Sequence, residues 1–522
     1  MYFENEHTIR KFMISKGEEP FHHMYEEAIK QVKSQFGRKY TMVIDGRNIE
    51  TSKTFVHSSP IDTRLTLGYF PTGNAKFVQD AVKVAKRSFH TWRRTDYKYR
   101  IEICKSAADI ITKKKFELAA WISYENGKNR YEAMADVDEA IDFIKYYCQE
   151  MERNNGFVVQ TGKAEPNESS RSVLKPYGVW GVIAPFNFPC AIMVGMSIGA
   201  LITGNTVVLK PASDTPIISY LFVEIMKEAG LPDGILNFIT GPGETIGRDI
   251  VQSKDVAGIV FTGSKEAGYS IIKTNKINSR SVIVELGGKN PTIVTETADI
   301  DKAVDGIVKA AFGYSGQKCS ACSRVYVQKD VKDVFVESLI NRTKTLSIGN
   351  PLDSNIFVGP LINSKAYSNY QKFTKIASRD GKILVGGSVR DNGDLKYGYY
   401  VEPTVVGDLP KSHRLFREEL FVPILCVAQY DALEEGLGLC NDSDYGLTAG
   451  IYSGKKEEIE SFLDNIEAGV VYVNRASSAT TGAMVGCQSF GGWKASGITG
   501  KGTGGPYYLA QFMREQSQTI AE

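Results

Sequence analysis

The chain has 522 residues, too many for one hydrophobic core, so two or more domains are expected. A formal net charge of +2, with 42% hydrophobic and 23% charged residues, excludes a disordered or fibrous chain and gives no basis for nucleic-acid or anionic-membrane binding as its main task. Eight scattered cysteines make no disulfide framework and point to a reducing compartment.

The opening MYFENEHTIRKFMISKGEEP lacks a basic stretch followed by an apolar run, and its acids are foreign to import presequences, so the expectation is a cytoplasmic protein. Residues 1–60 read as a loosely patterned arm with a hairpin at 40–50, turning at Asp45-Gly46. Segments 74–92, 98–113 and 136–151 repeat apolar residues every three or four positions, as surface helices do.

The pattern then alternates. Strands are expected at 179–184, 206–209, 235–239 and 258–261, separated by helices that include 193–203 and 217–228. This is the rhythm of a parallel α/β sheet, whose ligands lie at the carboxyl ends of the strands. The stretch between Lys175 and Lys210 carries no charge, yet Pro185, Asn187, Pro189, Asn205 and repeated Gly break it. It reads as core strand, loop and buried helix, and a membrane span is set aside. The rhythm restarts at Asn290, after Leu286-Gly287-Gly288, with Asp299 as a helix N-cap, and runs through Val471–Arg475 as a second α/β domain. Residues 154–171 and 476–522 follow it weakly and are expected to form an extension contacting another subunit.

Chemistry concentrates in a few places. The loop FGYSGQKCSAC at 312–322 sets Cys319 in a Gly-bounded turn, which exposes a thiol and brings backbone N–H groups near it, so Cys319 is the candidate nucleophile. Cys319 and Cys322 also spell C-x-x-C, but there is no second such pair and all six histidines are distant in sequence, so no metal site is expected. Glu285 ends the apolar run VIVE just before Gly287-Gly288, where desolvation would raise its pKa into the range of a general base; a salt-bridged structural acid is the alternative. In FTGS at 261–264, Gly263 and Ser264 open a helix whose free N–H groups suit a pyrophosphate, and Lys210 closes a strand at the same edge.

Together these segments resemble the aldehyde dehydrogenase superfamily from about residue 40 onward. The carriers are APFNFP (184–189), GNTVVLKPA (204–212), FTGS (261–264), ELGGK (285–289), GQKC (316–319), EELF (418–421) and FGGWK (490–494). The resemblance implies an α/β fold with a Rossmann-like NAD-binding domain (1–153 and 172–286), a second α/β catalytic domain (287–475) and a β oligomerisation extension (154–171 and 476–522). It also implies that the Cys319 thiolate adds to an aldehyde, and that the Asn187 amide and the Cys319 N–H hold the oxyanion. Hydride then passes to the nicotinamide, and Glu285 activates water to hydrolyse the thioester. For the cofactor it implies Lys210 on the adenosine ribose, Gly263 and Ser264 on the pyrophosphate, and Glu419 with Phe421 on the nicotinamide ribose. Ser213 stands where many NAD-specific members carry an acid, which leaves NADP possible beside NAD, and Val422 replaces the usual Gly after Phe421.

Within the superfamily the resemblance narrows to the branch that oxidises L-glutamate γ-semialdehyde in proline catabolism. Its carriers are QKCSACSR (317–324), EAIDFIKYY (139–147), TGAMVG (481–486) and GGPYYL (504–509). It implies that Ser320 and the N–H groups of Gly482 and Ala483 bind the substrate carboxylate, with Phe188 and Phe490 flanking its aliphatic chain. Cys487 and Ser489 depart from what relatives often carry just before Phe490. The competing readings are another aldehyde (aliphatic, aromatic or succinate semialdehyde) and a non-catalytic nucleotide-binding protein. A homo-oligomer is expected, its C-terminal strand pairing across subunits.

Overall fold

Short runs rich in Val and Ile, such as VWGVI at Val179–Ile183 and TVVLK at Thr206–Lys210, are buried along their whole length, as strands covered by helices on both faces must be. In the computed structural model, which describes residues 7–277, 280–476 and 484–522, they build two seven-stranded sheets. The first runs in the order Ser281–Glu285, Val256–Thr262, Val179–Ile183, Thr206–Lys210, Leu236–Phe238, Met42–Ile44 and Arg47–Ile49. Its first five strands are mutually parallel, and the last two form the antiparallel hairpin through Asp45-Gly46.

The second sheet runs Lys382–Val385, Thr404–Gly407, Ile424–Tyr430, Cys322–Gln328, Asn290–Val294, Thr448–Tyr452 and Val470–Val473, parallel except at its first strand. Only the residues between Glu285 and Asn290 carry the chain from one sheet to the other. The carboxyl ends of the first sheet therefore meet the amino ends of Asn290–Val294 and Cys322–Gln328. A third, antiparallel sheet joins Val158–Gln160, Glu168–Pro176 and Met513–Ala521, the last two paired from Met513 opposite Pro176 to Ala521 opposite Glu168. The middle strand of this sheet runs across the boundary expected at 171.

Several expectations need correcting. The N-terminal arm is two helices, His7–Lys16 and Glu18–Lys33. The second has a helical apolar stripe, Phe21, Tyr25, Ala28 and Val32, which is buried, and the Tyr25 hydroxyl donates to the Ala119 carbonyl at 2.9 Å. Helix Lys115–Asn126 escaped notice because it is buried from Leu118 to Asn126 without a polar face, so no periodicity marks it. The helix expected from 136 starts at Arg130, because the Asn129 side chain accepts the Glu132 N–H at 3.0 Å and caps it. This helix, Arg130–Arg153, packs on the almost wholly apolar helix Ala191–Ile202, which begins two residues after the segment 184–189. Among the described residues no helix is long and apolar enough to cross a membrane.

One buried cation ties the second sheet to its helices. The Arg324 guanidinium, 1% exposed, donates to the carbonyls of Lys289 (2.7 Å), Leu439 (3.0 Å) and Cys440 (2.7 Å). Arg324→Met fills the space but leaves those three carbonyls unsatisfied, so we expect a stability loss of about 3 kcal/mol. A melting temperature within about one degree of the parent would show that the carbonyls find other partners.

Candidate active site

The loop that carries Cys319 is bent before it is held. After helix Ile300–Phe312 the backbone turns through consecutive left-handed residues, Tyr314 (φ 47°), Ser315 (φ 54°) and Gly316 (φ 67°). Ser315 Oγ donates to the Gly359 carbonyl at 2.7 Å, and Gln317 Oε1 accepts the Ile362 N–H at 2.8 Å. The decisive clamp is Asn290, at the first position of its strand. Its Nδ2 donates to the carbonyls of Cys319 (2.7 Å) and Ala321 (2.9 Å), while its Oδ1 accepts the Thr448 N–H (3.0 Å). Gly288 is obligatory beside it, since a Cβ there would lie 2.6 Å from the Cys319 carbonyl oxygen.

Cys319 and Glu285 line one cavity, about 580 Å³ of interatomic space open at its mouth, whose walls include Phe188, Ile192, Met196 and Phe490. Apolar walls favour neutral groups. Burial pushes the Glu285 carboxyl well above the usual carboxylate range, against the smaller opposing effect of the Gly492 N–H that it accepts at 3.2 Å. The Cys319 thiol is pushed up to about 12, first by burial and then by the Glu419 and Glu285 carboxylates, although the N–H groups of Ser320 and Cys319 favour its thiolate. In the ligand-free protein the thiol is therefore protonated at neutral pH.

Asn187 is 3% exposed, and its side-chain amide has no hydrogen-bond partner among the described residues. Ser320 is buried next to Cys319, whereas Gly482 and Ala483 lie outside the described residues. Of the residues expected at the cofactor, Lys210 sits at the carboxyl end of its strand, with its ammonium donating to the Pro211 carbonyl at 2.8 Å and its pKa lowered by burial to about 8. Ser264 precedes helix Lys265–Ile277, and its hydroxyl accepts only the Ala267 N–H (3.4 Å), which leaves earlier N–H groups of the first turn free for an anion. Gly263 donates to the Glu285 carbonyl at 3.2 Å, linking the two motifs.

Glu419 reaches the same linker, its Oε1 accepting the Gly288 N–H at 2.9 Å, and burial raises its pKa to about 7. A Cβ at Gly287 would be 2.0 Å from Glu419 Oε2, so only glycine admits this carboxylate. Phe421 holds a left-handed backbone (φ 57°) and meets the Phe186 ring edge-on at 5.8 Å. Ser213 is exposed. The neighbouring acid, Asp214, is partly buried and accepts from Asn363 Nδ2 at 3.2 Å.

Sequence reasoning missed Asn290, Glu139, Thr503 and Tyr508, the last three of which line the cavity. Glu139 and Tyr508 were in view within the motifs at 139–147 and 504–509, but nothing local marks them as facing a site. Tyr508 stacks on Tyr147, whose hydroxyl lies 3.0 Å from Thr503 Oγ1. Cys322 points away from Cys319, its Sγ 3.2 Å from Thr292 Oγ1, and all eight cysteines are free. Among the described residues no group of His, Cys, Asp and Glu could hold a metal ion.

Residues 48–518 match the model of the aldehyde dehydrogenase family. The chain belongs to that family. Similar proteins include the 1-pyrroline-5-carboxylate dehydrogenase of Geobacillus kaustophilus (strain HTA426), 38% identical over 502 residues and 95% of each chain. Among solved structures, a 1-pyrroline-5-carboxylate dehydrogenase from Thermus with bound NAD superimposes with a TM-score of 0.93 at 35% identity, over 97% of this chain and 98% of that one. Proline utilization A from Bdellovibrio bacteriovorus matches with a TM-score of 0.92 at 35% identity over 96% of this chain, which spans only 52% of that longer protein. The chain is an NAD(P)-dependent aldehyde dehydrogenase of mixed α/β architecture.

The state of the thiol in the dehydrogenase is measurable. Because burial holds Cys319 protonated, its alkylation by iodoacetamide should accelerate about tenfold per pH unit from pH 7 to 10 without levelling off. Peptide mass spectrometry resolves it from the exposed Cys487, and a plateau below about pH 8 would mean a preformed thiolate.

Proposed function

We propose that this dehydrogenase oxidises L-glutamate γ-semialdehyde, the open form of 1-pyrroline-5-carboxylate, to L-glutamate. The observation that carries the reading is the single cavity that gathers a thiol, a neutral acid, two phenylalanine rings and the buried carboxylate of Glu139. Phe188 and Phe490 flank the aliphatic chain, and Ser320 with the N–H groups of Gly482 and Ala483 takes the substrate carboxylate. Glu139 faces the α-ammonium, a group that simple aliphatic aldehydes and succinate semialdehyde lack.

The donor set fits a dinucleotide. An ammonium at a strand end, free first-turn N–H groups at Ser264 and the Glu419 carboxylate suit a ribose, a pyrophosphate and a second ribose respectively. When bound, NAD(P) supplies a hydride acceptor. Cys319 Sγ gives its proton to water at the open mouth of the cavity and bonds to the aldehyde carbon, and the resulting oxyanion is held by Asn187 Nδ2 and the Cys319 N–H. As the oxyanion reforms its C=O bond, hydride departs and a thioester remains. Glu285 takes a proton from water, whose oxygen attacks the thioester carbon, and the Cys319 thiolate leaves as glutamate is released.

In this reading the first sheet with its helices is the NAD-binding unit, the second the catalytic unit, and the three-stranded sheet the oligomerisation extension. Among the described residues Met513–Ala521 has one neighbouring strand, and Val159 and Ile520 on the same sheet are exposed, which supports a homo-oligomer formed at this edge. Eight free thiols support a reducing, cytoplasmic location.

Turnover of 1-pyrroline-5-carboxylate should exceed that of propanal and succinate semialdehyde in kcat/KM by about tenfold or more. Equal efficiencies would move the enzyme to another aldehyde. Cys319→Ala should abolish oxidation yet keep cofactor affinity, measured by calorimetry; retained turnover would remove Cys319 from its role. Since burial favours neutral Glu285, its base form grows as pH rises, so deacylation should speed up from neutral to alkaline pH. Glu285→Gln should flatten that limb and let an acyl-enzyme accumulate in mass spectra.

A further inference from the structure

Helix Arg130–Arg153 presents two carboxylates four residues apart, hence on one face about 6 Å apart along the axis. Both are engaged in the same way, by one lysine and one backbone N–H. Asp136 Oδ2 accepts from Lys128 Nζ at 2.9 Å, and its Oδ1 accepts the Ala191 N–H at 2.8 Å. Glu132 Oε1 accepts from Lys318 Nζ at 3.0 Å, and its Oε2 accepts the Tyr314 N–H at 3.0 Å. Lys128 also lies 3.8 Å from the Phe188 ring centre and 5.1 Å from that of Tyr314. Lys128 and Asp136 are almost wholly buried, and Lys318 nearly so.

These partners are the two loops that must cooperate. Asp136 grips the chain just beyond Asn187-Phe188-Pro189, which follows a strand of the first sheet. Glu132 grips both ends of the segment 314–318, which delivers Cys319 to the second sheet. The gap between the oxyanion donor and the nucleophile is therefore a gap between two sheets, and a rigid helical turn bonded to both sides sets its width. An error near 1 Å in such a distance costs about a hundredfold in rate.

We infer that Glu132 and Asp136 are positioning residues that set the distance between the Asn187 amide and the Cys319 thiol, with Lys318 and Lys128 as their counter-ions. The inference rests on the roles proposed above for Asn187 and Cys319. Neither carboxylate touches the reacting atoms, so their loss acts on the step in which the oxyanion forms and leaves ground-state binding in place.

The test is steady-state kinetics on the full-length enzyme with 1-pyrroline-5-carboxylate and NAD. Glu132→Gln keeps the shape and an acceptor for the Tyr314 N–H but turns an amide NH2 toward Lys318. We expect kcat to fall about thirtyfold or more, with KM and the calorimetric cofactor Kd within about threefold of the parent. Lys318→Met should lose kcat by a similar factor, and Lys318→Arg, which still reaches Glu132, should recover it to within about fivefold. This pair keeps the test decisive if Glu132→Gln folds poorly. A parental kcat in Glu132→Gln or Lys318→Met overturns the inference, as does a loss that tracks the folded fraction and is not rescued by arginine. Cys319→Ala in the same assay separates the two readings: parental turnover there would refute the thiol mechanism itself. A silent Cys319→Ala beside a fully active Glu132→Gln would refute only the positioning role.

Discussion

The site depends on the amide of Asn290. Its Nδ2 and Oδ1 are committed to the carbonyls of Cys319 and Ala321 and to the Thr448 N–H, so one side chain fixes the nucleophile loop against two neighbouring strands. Those carbonyls face a dry interior, where an unmet acceptor costs roughly 1–3 kcal/mol, and the clamp both stabilises the loop and dictates its course. Asn290 opens the strand that follows the Glu285 linker, so the same few residues tether the acid to the thiol covalently from one side and by hydrogen bonds from the other. Loops that belong to different sheets thereby share a common anchor.

Around that anchor burial shifts the ionisable groups toward their neutral forms. Burial raises Glu285, Cys319 and Glu419 and lowers Lys210 and Lys289, the last two to about 8. Glu285 and Cys319 therefore carry little charge until a reaction step calls for it, whereas Lys210 and Lys289 stay mostly protonated at neutral pH, and in a low-dielectric cavity the N–H donors that meet a newly formed charge act more strongly than they would in water. The Lys128–Asp136 pair feels the same burial, which lowers Lys128 and raises Asp136, but here the two groups hydrogen-bond each other, and Asp136 a backbone N–H as well, at the back of the Phe188 wall.

The parallel strands were legible because burial on both faces leaves uninterrupted Val and Ile runs, and the chemical motifs because each sits in a loop next to such a run, Lys210 and Glu285 where one ends and Cys319 just before one begins. Helix Lys115–Asn126 was illegible for the converse reason: it is buried all round, and a helix without a polar side has no period to read. Asn290 looked like any polar residue opening a strand, since its partners are 29, 31 and 158 positions away. Glu132 and Asp136 have the spacing of an ordinary solvated helix face, and only the fold brings Tyr314, Lys318 and Ala191 to them. Motif reading found the thiol, the acid and the two phenylalanines of the cavity but missed Glu139, Thr503 and Tyr508 in its wall and the groups that hold the loops from behind, because which residues meet in space is a long-range property.

The distribution of thiols has a practical consequence. Six of the eight cysteines are buried and Cys319 is half-buried, so only Cys487 meets solvent freely. A soft electrophile reaches one side chain readily, and that side chain lies three positions before the Phe490 wall. The native protein thus offers a single ready attachment point for a dye, close along the chain to that wall, with no engineered cysteine needed.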